Sequence, residues 1–392
     1  FNSMYLVNIS ARKFKVVIMS TEVALKGENT GVTSFLKWFR FLDVKSPISL
    51  HTESKWIGIK YSMLPLLAAG LRTPRDAGGI PVKVAKLLYL LNNGEKAHEL
   101  RNKAKTKWHI SFPTAKSKLR GRNVIEALSI EFALEARDKL LELSGKVTVY
   151  GGFEGLIAAD VLQKIGLKPR LVYEGKPFTD VFDSDMSAIA MSIIERKDLE
   201  IIPLLKEDRT PIFVFGQGHY IEFAYTEENL ILDLIKEAWG SFSLPLSDYT
   251  YEKLGFTAAH FIKGIHVSVP PPSRYAYFSD TAFLSVGITV QKAESFDYAA
   301  TRISIKRRGE RVGAIKLVAD RQNLVLVGAQ AIIPKEEKGL LELLCLAVSA
   351  RIPLMLLTQS AESGSIIDAL AEALWRKASL KFYKEAFKNS RT

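Results

Sequence analysis

Residues 146–175, KVTVYGGFEGLIAADVLQKIGLKPRLVYEG, constrain the fold more than any other stretch of this chain. A β-branched run ends in glycines, a helix-type apolar segment follows, and a second apolar run ends in an acid. That order is strand, turn, helix, strand: the dinucleotide-binding βαβ unit, which commits the region to a parallel sheet. Gly152 lets the backbone approach a pyrophosphate, and Gly155 lets the helix pack closely on the strand. The helix N-terminus then offers its free amides to phosphate. Glu174 follows at the distance where a carboxylate can hold the hydroxyls of an adenosine ribose. Tyr150 replaces the first glycine of the G-x-G-x-x-G pattern, so two readings stay open. Either the unit binds NAD(H), or it keeps its shape without the nucleotide.

At 392 residues the chain exceeds what one core usually supports, and three segments separate by pattern. Residues 4–145 mix short apolar runs with a basic stretch and end in NVIEALSIEFALEARDKLLEL, whose apolar spacing predicts an amphipathic helix. Residues 146–220 alternate strand and helix signals. From about 270 onward RISIKRR, GAIKLVAD and NLVLVGAQAII read as strands, with long helices after them, which predicts an α+β unit on an antiparallel sheet. Pro270–Pro272 read as the linker before it.

Charge and sulfur narrow the chemistry. Residues 1–150 hold 25 Lys and Arg against 12 Asp and Glu, whereas the remainder is nearly balanced at 29 against 30. Within 96–122, nine basic residues face one acid, so an anionic ligand or a partner there is one expectation and a solvated face the other. Cys345 is the only cysteine, and its helical apolar surroundings predict a buried, unreactive thiol. No mechanism that needs two thiols within the chain is open to it. A single cysteine, no leader pattern and no apolar run long enough for a bilayer give the expectation of a cytoplasmic protein with no membrane association. His98 and His109 sit among lysines, no Cys/His cluster has zinc spacing, and no metal is expected. Trp38, Phe39 and Phe41 read as helix core, and Asp183 or Ser184 as the N-cap of a helix.

Beyond the βαβ unit, several stretches carry a resemblance in the same order along the chain. ISFPTAKSKLRGRN, with Thr114, Ala115 and Ser117, resembles the small-residue crossover strand of the pyridine nucleotide–disulfide oxidoreductases. IFVFGQG, with Gly216, resembles the second crossover, and SRYAYFSDTAFLSVGIT, with Asp280, Val286, Gly287 and Thr289, resembles that family's entry into its last domain. The resemblance implies two Rossmann-like nucleotide-binding domains and a C-terminal α+β dimerisation domain. Residues 4–145, completed by 221–272, would form the FAD-type domain, 146–220 the NAD-type domain and 273–385 the dimerisation domain. A homodimer through that last domain follows from the same likeness.

The resemblance also implies residues that this chain lacks. In TPRDAGGIPVK the redox cysteines would stand at Pro74 and Gly79, and in ESGSIIDAL the catalytic histidine and its glutamate would stand at Ser363 and Asp368. In the FAD-type domain the expected pattern is a strand in VVIMS, an insertion, glycines at Gly27 and Gly31, and a terminal acid at Glu53. Thr114 lies in the crossover, and Asp233 is the nearest match to the acid that grips the flavin chain. With both phosphate motifs eroded, the expectation is loss of FAD. These readings predict a catalytically degenerate homologue, acting as a binding, regulatory or structural subunit without dithiol chemistry. The alternative is a thiol-independent FAD/NAD(P)H oxidoreductase that passes electrons to another acceptor. A remote third, RNA binding, rests on TEVALKGENTG, which resembles the opening of tRNA thiouridylation proteins.

Overall fold

A computed structural model describes residues 21–44, 46–90, 106–204, 210–226, 228–291, 297–307, 309–360 and 365–389. Two compact units emerge: residues 1–151, 161–169 and 207–272 form the first, and 152–160, 170–206 and 273–392 the second. The expected FAD-type segment falls in the first and the expected dimerisation segment in the second. The 146–220 segment is shared between them.

The first unit opens with β1 (Thr21–Lys26), α1 (Thr30–Phe41) and β2 (Ile48–His51), followed by β3 (Trp56–Ile57), α2 (Leu64–Ala68), β4 (Ile80–Pro81) and α3 (Val82–Ala85). Next come β5 (Thr106–Ser111), β6 (Thr114–Ser117), β7 (Val124–Glu126), α4 (Ile130–Leu141) and β8 (Lys146–Tyr150). The chain then passes through α5 (Gly155–Lys164), β9 (Lys168–Val172), α6 (Ser184–Glu195) and β10 (Glu200–Ile202). It returns to the first unit with β11 (Ile212–Val214), β12 (Ile221–Ala224), α7 (Leu230–Trp239) and α8 (Asp248–Ile262). In this unit β1 lies between β2 and β5, all parallel. Likewise β11 runs parallel to both β8 and β7. Rossmann-like elements are therefore present, as the sequence predicts.

The strand expected at VVIMS lies outside the described residues, which begin with β1, TEVALK, and β1 runs directly into Gly27. Val23 and Leu25 are fully buried, and period-two burial is what a strand of this kind requires. The helix expected over 123–143 is also shorter. Ser129 accepts from the Phe132 amide at 3.2 Å and starts α4 only there, leaving Val124–Glu126 to pair with β11.

Two glycines set how closely α1 packs. A Cβ on Gly31 would stand 2.1 Å from the Phe112 ring, and one on Gly255 would stand 2.2 Å from the Gly31 carbonyl oxygen. Around them Val32, Phe35, Leu36 and Phe39 of α1 meet Leu254 and Ala258 of α8 in one buried cluster. Phe41 is 75 % exposed, so of the three aromatics read as helix core only Phe39 is fully inside, with Trp38 packed on the edge.

The second unit is built on an antiparallel sheet of β13 (Ser273–Phe278), β14 (Thr281–Gly287), β15 (Tyr298–Arg307), β16 (Glu310–Asp320) and β17 (Val325–Pro334), in the order β13-β14-β17-β16-β15. Helix α9 (Lys338–Ser349) lies against β14 and β17. After α10 (Leu354–Ser360), α11 (Ile366–Asn389) lies against β15 and β16. Strand β9 pairs with β10 in parallel in the same unit. Phe153, Phe178, Phe182 and Phe283 meet in edge and stacked contacts at 5.7–6.5 Å, forming its aromatic centre.

Substituting Gly255→Ala should cost about 1–3 kcal/mol in denaturant unfolding, because the clash is with backbone rather than a yielding side chain. An unchanged midpoint would mean that α1 and α8 can separate freely.

Candidate functional site

The β8–α5 turn is where the sequence places a nucleotide. Tyr150, in the first-glycine position, is 1 % exposed and turned back into the first unit. Its hydroxyl accepts from the Tyr220 amide at 3.3 Å, and its ring stands where a side chain on Gly218 would go. The glycine that the sheet itself demands is Gly151, which sequence reading passed over. A Cβ there would lie 1.4 Å from the Phe215 carbonyl oxygen. Gly152 has φ +54°, as a tight turn needs, and the Gly155 amide donates to its carbonyl at 3.1 Å. Glu174 lies two residues beyond β9 and is partly exposed, as expected. Gly216, at φ +113°, ends β11.

Next to this turn stands a residue that sequence reading did not single out. Glu154 is 3 % exposed, and its two carboxylate oxygens accept from Arg274 Nε and Nη2, each at 2.7 Å. Arg274 Nη1 donates to Asp180 Oδ2 at 2.7 Å, and the Tyr173 hydroxyl donates to Asp180 Oδ1. Its guanidinium lies 5.2 Å from the Phe153 ring centroid. Burial raises the Glu154 pKa, while the Arg274 charge and its hydrogen bonds oppose that rise. Burial alone would lower the guanidinium's pKa; the Glu154 and Asp180 charges outweigh it and hold it raised. The Tyr173 hydroxyl is pushed well up, first by burial and then by the Asp180 charge. The signal that could have found this cluster is an arginine on a strand of otherwise buried type.

The β1–α1 turn of the first unit carries a second acid. Gly27 has φ +129°, and Asn29 caps α1 by accepting from the Gly31 amide at 2.9 Å. Between them Glu28 Oε1 accepts from the Ile130 amide at 2.9 Å, which is the N-terminus of α4. Burial lifts its pKa to about 7; the hydrogen bond lowers it, and the charges of Glu131 and Glu53 add to the rise.

The positions implied for redox chemistry fall as follows. Pro74 and Gly79 close one turn, the Gly79 amide donating to the Pro74 carbonyl at 2.8 Å. A Cβ on Gly79 would lie 2.7 Å from that oxygen and 2.8 Å from Ile59, so the backbone there does not take a cysteine. Ser363 lies outside the described residues. Asp368 is in the first turn of α11, its amide donating to Ser365 Oγ at 3.1 Å. Cys345 is 3 % exposed in α9, and burial pushes its thiol to about 12. Thr114 pairs with Ala224 across β6 and β12. Asp233 stands on the exposed face of α7, where Asn229 as N-cap and buried Leu230, Ile231, Leu234 and Ile235 make the segment helical. The basic residues at 96–105 lie outside the described residues, and Lys116, Lys118 and Arg120 are exposed. Asp183 does precede α6, but its carboxylate is used by Gln330 and Lys316 rather than as a helix cap.

A further cluster links distant segments of the first unit. Asp248 accepts from the Tyr61 amide at 2.6 Å and from Ser62 Oγ at 2.5 Å, while the Tyr61 ring stacks on Phe215 at 4.8 Å. Burial raises the Asp248 pKa, against those hydrogen bonds. The pair is tied up in structure and holds no activated nucleophile. Among the described residues no group of three His, Cys, Asp or Glu side chains could hold a metal ion, and no helix is long and apolar enough to cross a membrane.

No protein-family model matches this chain, and no curated protein does. Solved structures do. An NAD-dependent persulfide reductase from A. fulgidus matches with TM-score 0.66 at 13 % identity, covering 91 % of this chain and 83 % of its own. The water-forming NADH oxidase from Lactobacillus brevis, bound to NADH, matches with TM-score 0.67 at 11 % identity over 93 % and 100 %. An FAD-dependent pyridine nucleotide-disulphide oxidoreductase from Desulfovibrio vulgaris matches with TM-score 0.53 at 12 % identity over 91 % and 100 %. The chain shares the fold of these enzymes, an α/β fold with Rossmann-like parallel elements and an antiparallel-sheet domain. Their named cofactors lend no support to the expectation that FAD is lost.

Geometry is what bears on the cofactors in this chain. The Gly31 amide in the first turn of α1 is taken by Asn29, one of the amides a pyrophosphate would meet there. Each of the two turns also holds a buried acid, Glu28 in one and Glu154 in the other.

Two outcomes test these clusters. Arg274→Met should lose about 3–5 kcal/mol of stability by leaving Glu154 buried without its cation, and adding Glu154→Gln should recover part of the loss. Glu28 has a folded pKa above its ordinary 4.5, so its contribution is full below pH 4.5 and is lost as pH rises through about 7. Glu28→Gln keeps the acceptor for Ile130 and should unfold later than the parent at pH 8, by up to about 3 kcal/mol, with the gap closing near pH 4.5.

Proposed function

We propose that this chain is a non-catalytic protein on the pyridine nucleotide–disulfide oxidoreductase fold, serving as a binding or regulatory subunit. The observation that supports this most is the state of its one cysteine: Cys345 is buried, its thiol pushed to about 12, and no second thiol exists to form a redox pair. A thiolate is the nucleophile in disulfide exchange, and a thiol at that value supplies almost none at neutral pH. The capped first turn of α1 at Asn29 and the buried acids Glu28 and Glu154 support the same reading of the hydride relay, since a cofactor has to be held before it can react. A homodimer through the antiparallel-sheet unit, by likeness to the fold's relatives, and residence in the cytoplasm belong to this proposal.

A second reading has one observation in its favour. The L. brevis NADH oxidase matches over nearly the whole chain, and its name describes a reaction with no disulfide acceptor. On that reading the chain would be a thiol-independent flavin oxidoreductase.

The absorbance spectrum of the purified protein separates the two. Under the proposal it shows no flavin bands, and NADH is not consumed with oxygen, a quinone or a disulfide as acceptor, even with added FAD. A yellow protein that consumes NADH at about 1 s⁻¹ or faster overturns the proposal in favour of the second reading.

A further inference from the structure

The first unit contains a cavity of about 570 Å³ beside α1 and α8, within the size range of small-molecule sites. Neither Gly27 nor Glu28 of the β1–α1 turn lines it. Its walls come from chain-distant places: one flank of α1, the middle of α8, the stretch at Gly58 and Lys60, the turn at Ala77 and Gly78 running to Ile80, and Tyr89.

Its chemistry is directional. Lys37, Lys60 and Lys253 stand at its edge, and among the described residues none of them is ion-paired, whereas Glu252 is the one acid in the lining. Facing them are the flat side chains of Trp38, Phe256 and Tyr89. Trp38 and Phe256 meet edge to face at 4.9 Å, which fixes both rings. In the floor, Thr30 is 6 % exposed, and its hydroxyl has no hydrogen-bond partner. A buried hydroxyl without a partner carries a desolvation cost that a ligand can remove. Thr33 has already satisfied its own hydroxyl on the Thr30 carbonyl at 3.0 Å, so Thr30 Oγ1 is the one left over.

We propose that this cavity binds a phosphorylated small molecule carrying a flat ring, of mononucleotide size. The lysines hold the phosphate as point charges, and the ring lies against Trp38 and Phe256. This rests on the reading that the chain binds rather than turns over, and it gives that reading a ligand class. The turn expected to carry redox cysteines becomes, through Ala77 and Gly78, one wall of the binding site.

The experiment titrates AMP, adenosine and inorganic phosphate into the purified full chain, reading tryptophan fluorescence and thermal midpoint. AMP should quench and stabilise, and both effects should weaken with added salt. Adenosine and phosphate should each bind more weakly than AMP. Lys37→Ala with Lys253→Ala should weaken AMP about tenfold or more. Trp38→Phe should remove the quench but keep the thermal shift. No response to AMP at about 5 mM, or an AMP affinity matched by adenosine and unmoved by the lysine substitutions, overturns the inference. That failure is distinct from failure of the functional reading, which shows as bound flavin and NADH consumption whether or not AMP binds.

Discussion

A carboxylate taken out of water has to be neutralised by a cation or by a proton, and this chain does each once beside a nucleotide-type glycine turn. Glu154 at the start of α5 meets the Arg274 guanidinium in a two-point bridge. Glu28 in the β1–α1 turn has no such partner; it accepts one amide, and its pKa rises to about 7. Much of the second unit is organised around the first solution. Arg274 reaches Asp180, Asp180 receives Tyr173, and Phe153 packs on the guanidinium while anchoring the aromatic centre with Phe178, Phe182 and Phe283. In dinucleotide-binding turns the phosphate brings the negative charge to the helix N-terminus. Here the chain supplies that charge itself.

Packing residues explain how this architecture can stand on its own. The relatives by fold are named for NADH, NAD or FAD, and the chain keeps their arrangement over most of its length. Packing alone accounts for the arrangement: Gly31 and Gly255 set the approach of α1 to α8, and Gly151 sets the approach of β8 to the end of β11. None of those glycines needs a cofactor to be required where it is.

The βαβ unit and the antiparallel C-terminal sheet were legible because their signals are local. A β-branched run before glycines, and strands such as LVLVGAQAII, carry their burial pattern in consecutive residues. TEVALK is fixed as a strand by its pairing with β2 and β5, which no local pattern announces. The site was less legible than the fold. Gly152 and Glu174 stood out by motif, but Glu154–Arg274 joins residues 120 apart, and Asp248 reaches Ser62 across 186. No spacing rule in the sequence announces such pairs. The cavity at Thr30 is of the same kind, since it exists only once α1, α8 and the 77–78 turn are assembled.

The central claim is that these turns no longer accept a dinucleotide, and binding of NADH to the purified protein tests it most directly. Titration followed by nicotinamide fluorescence should give no saturable binding to the parent at concentrations up to about 1 mM. Saturable binding in the micromolar range, weakened by substituting Gly152 or Glu174, would contradict the account and restore the βαβ unit as a working nucleotide site.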